Sequence, residues 1–299
     1  MKVYRDIDFD VPRHPRGVAL GTFDGVHLGH QAIIAELIQD AKVSGRVPAI
    51  FTFSDHPDLV FRDKNSFQGF IMSVEEKLEI FAALGVEEVF LMPLVPELYK
   101  QTAEEFLQSY MIDKLNAGFI AVGEDARFGS GRAGDVEYLL SWGKKNNIKT
   151  AVIEDINIAQ EKVSSTCIRN LLKQGEVGKA NLLTGRKFGF KAKGATECVP
   201  LVYKLDFISS VSETERDQTR STINISAAKD NRQYQYEYPE GIVPLPEGKY
   251  SGNVYFQREG IPSVPAELEI KRIVGKYVII VYGSVPYGQD ALWQSKTCL

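Results

Sequence analysis

The chain has 299 residues, 44% hydrophobic and 25% charged, with 35 basic against 39 acidic side chains and a net charge of −4. That length supports two domains with separate cores, and the weak acidity excludes broad nucleic-acid binding, which needs a basic footprint. No apolar stretch reaches bilayer length, the N-terminus lacks the basic-then-apolar pattern of a secretory signal, and Cys167, Cys198 and Cys298 are odd in number and widely spaced, as expected of a cytoplasmic protein outside any membrane.

The first apolar run, residues 17–20, predicts a buried strand. It leads into Gly21-Thr22-Phe23-Asp24-Gly25-Val26-His27-Leu28-Gly29-His30-Gln31. Ile33, Ile34, Leu37, Ile38 and Ala41 then recur at helical spacing. Residues 47–53 predict the next strand. Ser73-Val74-Glu75-Glu76 reads as a capping box opening a helix that stops at Gly85. Residues 88–92 predict a third strand. Thr102-Ala103-Glu104-Glu105 repeats the capping signal before Phe106, Leu107, Tyr110 and Met111. Residues 118–123 and 149–154 predict two more strands, with a helix over 135–146 between them.

Strand–helix alternation of this kind predicts an α/β, Rossmann-like parallel sheet over residues 1–186, with helices on both faces. Such sheets bind ligands outside the carboxyl ends of their strands. After Phe190 the pattern changes to short β-rich runs at 199–209, 222–226, 233–238, 249–257, 266–272 and 277–282. Several alternate apolar and polar residues. We expect a second domain over 187–299, a small antiparallel β-barrel.

The segment 21–31 sets two histidines three residues apart at a strand-to-helix junction. The first turn of a helix carries unpaired N–H groups and partial positive charge, so it attracts phosphate. Histidines there can donate to phosphate oxygens as charge builds up, and Gly29 allows close approach of a phosphate to the backbone. A nucleotide is therefore the first substrate to consider.

A second cluster, Ser164-Ser165-Thr166-Cys167-Ile168-Arg169, precedes a helical stretch. One hydroxyl suffices to cap a helix; three in a row offer phosphate donors, and Arg169 adds a planar fork. A third segment, Gly123-Glu124-Asp125-Ala126-Arg127-Phe128-Gly129, opens a glycine-rich charged loop at a strand end. A fourth, Thr52-Phe53-Ser54-Asp55-His56-Pro57, also follows a strand; His56 fits either a ligand contact or a turn-stabilising role before Pro57.

Together these stretches, with Gly185-Arg186-Lys187-Phe188, resemble the prokaryotic FAD synthetase family over roughly the first 190 residues. Residues 27–30 resemble the HxGH signature of nucleotidyltransferases. The resemblance implies an FMN adenylyltransferase that moves AMP from ATP to FMN, giving FAD and pyrophosphate, with Mg2+ accompanying ATP. It implies that His27, His30 and Arg169 stabilise the reacting phosphates. Gly21, Phe23, Asp24, Gly29, Asp125, Ser164, Ser165 and Thr166 would line the nucleotide, and Phe53, His56, Arg127 and Phe128 the flavin. No metal ligands or oligomeric state follow from it.

Two departures stand out. Ala126 occupies a position that is usually aromatic in the family, which bears on flavin stacking or loop packing. In the second half, the Pro-Thr-Ala-Asn segment of riboflavin kinase domains is absent, although Pro246-Glu247-Gly248-Lys249-Tyr250 resembles a kinase strand start. The expectation is a kinase-derived barrel without kinase activity. The alternatives are a divergent bifunctional riboflavin kinase/FMN adenylyltransferase and a non-catalytic flavin-binding regulator.

Overall fold

A computed structural model describes residues 1–6, 11–61, 67–190, 193–194, 202–210, 233–256, 264–273 and 276–282. Cys198, Cys298 and the expected strand at 222–226 lie outside the described residues. The chain divides into two compact units, Met1–Cys167 and Ile168–Leu299.

The first unit begins β1 (Lys2–Tyr4), β2 (Arg16–Leu20), α1 (Leu28–Ser44), β3 (Val47–Phe53), α2 (Pro57–Phe61), α3 (Val74–Ala83) and β4 (Glu88–Met92). It continues with α4 (Pro96–Tyr99), α5 (Ala103–Phe106), a π-helical run Leu107–Lys114, β5 (Ala117–Gly123), α6 (Val136–Lys145) and β6 (Lys149–Ile153). A small hairpin, β7 (Asn157–Ile158) and β8 (Glu161–Lys162), leads to α7 (Ser165–Lys173).

The six main strands form one parallel sheet in the order β1-β4-β3-β2-β5-β6. Its residues alternate between two cores, as strand geometry requires. Val18, Phe51, Phe90 and Ile120 face a layer containing Leu107, Met111 and Trp142. Ala19, Ile50, Val89 and Phe119 face the layer containing Ile34, Leu37 and Phe81. Both capping boxes form: Ser73 exchanges bonds with Glu76, and Thr102 with Glu105.

Strand order places the site. From β2 the chain moves one way, through β3 to β4, whereas β5 and β6 add on the other side of β2. The crossover leaves a switch point between β2 and β5, where open parallel sheets bind ligands at their carboxyl ends. The loops after Leu20 and Gly123 meet that position from either side.

The opposite end of the sheet is pinned by a buried cation. Arg16 is fully buried; its Nε donates to Glu88 Oε2 at 2.6 Å, and its Nη atoms donate to the carbonyls of Leu115, His14 and Pro12 at 3.0–3.2 Å. Thus β2, β4 and the approach to β5 share one guanidinium.

The second unit holds α8 (Val177–Thr184), β9 (Phe188–Phe190), β10 (Lys193–Gly194), β11 (Val202–Ser210), β12 (Gln233–Glu237), β13 (Gly248–Phe256), β14 (Val264–Ile273) and β15 (Lys276–Tyr282). Its antiparallel sheet runs β10-β12-β15-β14-β13-β11-β9 and is barrel-like. Phe188, Phe190, Phe207 and Tyr250 pack rings in its interior. On β14, Ala266, Leu268 and Ile270 point inward, while Glu267 and Glu269 alternate with them and pair with Lys249 and Lys271. Helix α8 belongs with this sheet by contact: Asn181 donates to the carbonyls of Phe207 and Ile208 and accepts from Phe188 N. The two compact units divide at 167/168, upstream of the 186/187 boundary expected from the sequence. No helix among the described residues is long and apolar enough to cross a membrane.

Candidate functional site

The site is built on the turn between β2 and α1. Phe23 and Val26 hold positive φ, +53° and +33°, which costs a non-glycine residue energy and needs support around it. Gly25, at φ +82°, supplies the left-handed step at lower cost; a Cβ there would sit 2.9 Å from Ile71. His27 caps α1. Its Nδ1 accepts from His30 N at 3.3 Å, which assigns the neutral ring's proton to Nε2. The two imidazoles stack with centroids 3.6 Å apart and planes 18° off parallel. Phe23 meets the His30 ring edge-on at 5.1 Å. His27 is buried and His30 half-buried.

The second cluster comes to the same turn. Ser165 Oγ donates to Asp24 O at 2.8 Å, joining residues 141 positions apart. A Cβ on Gly29 would sit 3.3 Å from the His27 ring and 3.9 Å from Val163 O, so this close approach suits glycine. Ser164 Oγ accepts from Cys167 N at 3.2 Å and thereby caps α7. Thr166 is exposed, and Arg169, one turn further along α7, is buried. The Asp24 carboxylate is also buried, with both oxygens accepting from Ile71 N at 3.1 and 3.2 Å. Gly21 directly follows β2, and its N–H donates to Phe51 O at 3.2 Å.

On the β5 side, Asp125 is exposed and lies 3.8 Å from Lys162 Nζ, which also pairs with Asp155. The Asp155 carboxylate is the main reason that the Lys162 pKa is raised. A side-chain hydrogen bond with Asp155 also raises the Glu124 pKa, so this loop carries a network of charges. Gly129, at φ +72°, passes so close to α5 that a Cβ would stand 2.6 Å from Ala103 N. Phe128 is 8% exposed and packs near Phe106 and Tyr138, so its ring belongs to the core. Arg127 is exposed and donates to Ala126 O. Phe53 is half-buried beside Phe51. His56 Nδ1 accepts from Asp58 N at 3.2 Å, a turn-stabilising bond, while its ring lies 4.7 Å from Phe67. No group of three or more His, Cys, Asp or Glu side chains among the described residues is arranged to hold a metal.

One contributor to the site was absent from the sequence reading. Lys77 is 6% exposed and reaches the carboxyl ends of β2 and β3. Its signal is positional: with Val74, Leu78 and Phe81 it falls on the apolar stripe of α3, where a lysine must find buried acceptors.

The family model described as FAD synthetase matches residues 12–167. A bifunctional riboflavin kinase/FMN adenylyltransferase from Listeria monocytogenes serovar 1/2a is 30% identical over 174 residues, covering 58% of this chain and 55% of that protein. One of the same description from Bacillus subtilis (strain 168) is 31% identical over 175 residues, covering 58% and 54%. The chain thus spans about half the length of the curated relatives it matches. Among solved structures, a macrolide-efflux protein from Streptococcus pneumoniae superposes with a TM-score of 0.73 at 21% identity, covering 97% of this chain and 86% of that one. At that identity the likeness speaks for the fold alone.

Proposed function

Because the chain belongs to the FAD synthetase family, we propose that it transfers AMP from ATP to FMN, giving FAD and pyrophosphate. The observation that carries this reading is the meeting of two distant segments at the β2–α1 turn: stacked His27 and His30 on one side, and Ser165 bonded to Asp24 O on the other. An FMN phosphate oxygen forms a bond to the α-phosphorus of ATP as the bond from that phosphorus to the β-phosphate bridging oxygen breaks. Pyrophosphate leaves in line.

His27 and His30 donate to the phosphate oxygens as charge shifts onto them, so the protein supplies position and charge rather than a covalent intermediate. Gly21, Phe23, Asp24 and Gly29 shape the nucleotide turn. Ser164, Ser165, Thr166 and Arg169 serve the phosphates from α7, and Asp125 the nucleotide rim. Phe53, His56 and Arg127 contribute the flavin side, with Phe128 holding the loop from within. Magnesium supplied with ATP would add charge neutralisation at the phosphates, while these residues hold them in position. We assign transfer to residues 1–186 and read 187–299 as a riboflavin-kinase-like barrel without kinase activity. The absence of Pro-Thr-Ala-Asn from the sequence supports that reading, and the few, scattered cysteines support a cytoplasmic setting.

Incubation with ATP, magnesium and either FMN or riboflavin, with products separated by chromatography, tests this. FAD from FMN, with one pyrophosphate per FAD and no FMN from riboflavin, is the expected result. FMN formed from riboflavin would instead support a bifunctional enzyme, and flavin binding without pyrophosphate release a regulator.

A further inference from the structure

The Lys77 ammonium has three donors and no acceptor. In this structure three oxygens surround it: Phe53 O at 3.1 Å, Thr22 O at 3.3 Å and Thr52 Oγ1 at 3.4 Å. Thr52 Oγ1 in turn donates to Thr22 O at 2.9 Å. Thr22 immediately precedes Phe23, the first residue of the turn held at positive φ. With its donors directed at protein oxygens, Lys77 acts through the turn rather than on the substrate. A buried charge costs free energy that a methionine of similar volume avoids, so packing alone does not account for it.

We propose that Lys77 is a positioning residue: its buried ammonium ties the carboxyl ends of β2 and β3 together and so fixes the turn that carries His27 and His30. The kinetic part of this inference rests on the adenylyl-transfer reading; the structural part does not. The charged group acting on Lys77 from the β2–α1 turn is Asp24. Strand β3 presents the Thr52 hydroxyl and Phe53 carbonyl, while Glu76 on the same helix bonds to Ser73. Burial lowers the Lys77 pKa to about 8, and the Asp24 carboxylate only partly opposes that fall. Above that pH the amine loses a donor and the tie weakens.

The chain has four histidines, so an imidazole nitrogen NMR spectrum can follow His14, His27, His30 and His56 separately. In Lys77→Met, the His27 and His30 signals are expected to move, while His14, before the opposite end of β2, stays in place. The kcat for FAD formation is expected to fall about tenfold, with KM for FMN unchanged, on the scale of one lost charge-assisted hydrogen bond. Lys77→Arg keeps the cation and is expected to recover most of that loss. It should also move the alkaline fall in kcat/KM, expected near pH 8 in the unsubstituted protein, to higher pH.

Thr52→Val removes one acceptor and the bond to Thr22 O with little change in volume. It is expected to move the same two histidine signals, and it decides the matter should Lys77→Met fail to fold. Unmoved His27 and His30 signals in folded Lys77→Met, or in Thr52→Val where the first variant does not fold, overturn the proposal. So does an alkaline fall that Lys77→Arg leaves in place. If the unsubstituted protein makes no FAD, the function proposed above fails, and the imidazole spectra still decide the role of Lys77.

Discussion

Replacing His30 with Ala is expected to slow FAD formation by about two powers of ten or more, the usual scale for losing a donor to developing transition-state charge. This substitution reads the chemistry more directly than one at His27. The cap of α1 is accepted by the His27 ring from the backbone N–H of His30, so Ala at 30 leaves both partners of that bond in place. His27→Ala removes the cap together with the imidazole and adds about 1 kcal/mol of helix destabilisation. His30→Ala should therefore fold with an unchanged circular dichroism spectrum, keep measurable ATP affinity and lose turnover. Steady-state rates at saturating ATP and FMN make the comparison. Turnover within twofold of the unsubstituted protein removes His30 from the mechanism.

Arg16→Met is expected to lower the unfolding free energy of the first unit by about 3–5 kcal/mol, because it strands a buried carboxylate. Arg16 is fully buried, and Glu88 is the acid that receives its Nε. The Nη donors also serve three carbonyls at the amino ends of the strands. Removing the guanidinium leaves Glu88 with His14 at 3.3 Å and orphans several acceptors together. Urea unfolding followed by circular dichroism measures the loss. The double variant Arg16→Met with Glu88→Met should recover part of it, since an apolar pair can replace a buried ion pair. The turnover of folded Arg16→Met should stay near normal, because this network lies at the end of the sheet away from the His27–His30 turn. A loss below about 1 kcal/mol would place the pair with ordinary surface salt bridges.

The first unit was legible where periodicity and capping agreed. The apolar run at 17–20 appears within β2, and both capping boxes open helices at the expected residues. The three residues of β1 are too few to show a period; only pairing with β4 makes them a strand. The π-helical run over Leu107–Lys114 buries Leu107, Tyr110 and Met111 at a spacing that also reads as α-helix. The β7–β8 hairpin is two residues a side and has no pattern to read. In the second unit, β11 covers Val202–Ser210 against the run expected at 199–209, whose first three residues lie outside the described ones.

The site divides along the same line. His27, His30, Ser164 and Ser165 announce themselves by residue type at a helix start, and the structure brings the two segments together. Phe128 carries no mark in the sequence that it packs inward among Phe106 and Tyr138. Residue type marks neither Arg16 nor Lys77 as buried, and only the place of Lys77 on the apolar stripe of α3 hints at it. Each becomes a buried tie because acceptors from distant strands converge on it, and that convergence is a tertiary property. Charge type alone therefore reads well at loop ends and poorly within elements.

The central claim is that the β2–α1 turn grips the phosphates of ATP. A crystal structure of the full chain with magnesium and a non-hydrolysable ATP analogue tests it most directly. The account predicts phosphate oxygens within hydrogen-bond distance of His27 and His30, with the α-phosphate open to an incoming FMN phosphate. An analogue bound elsewhere, with both imidazoles free of contact with it, would contradict the account.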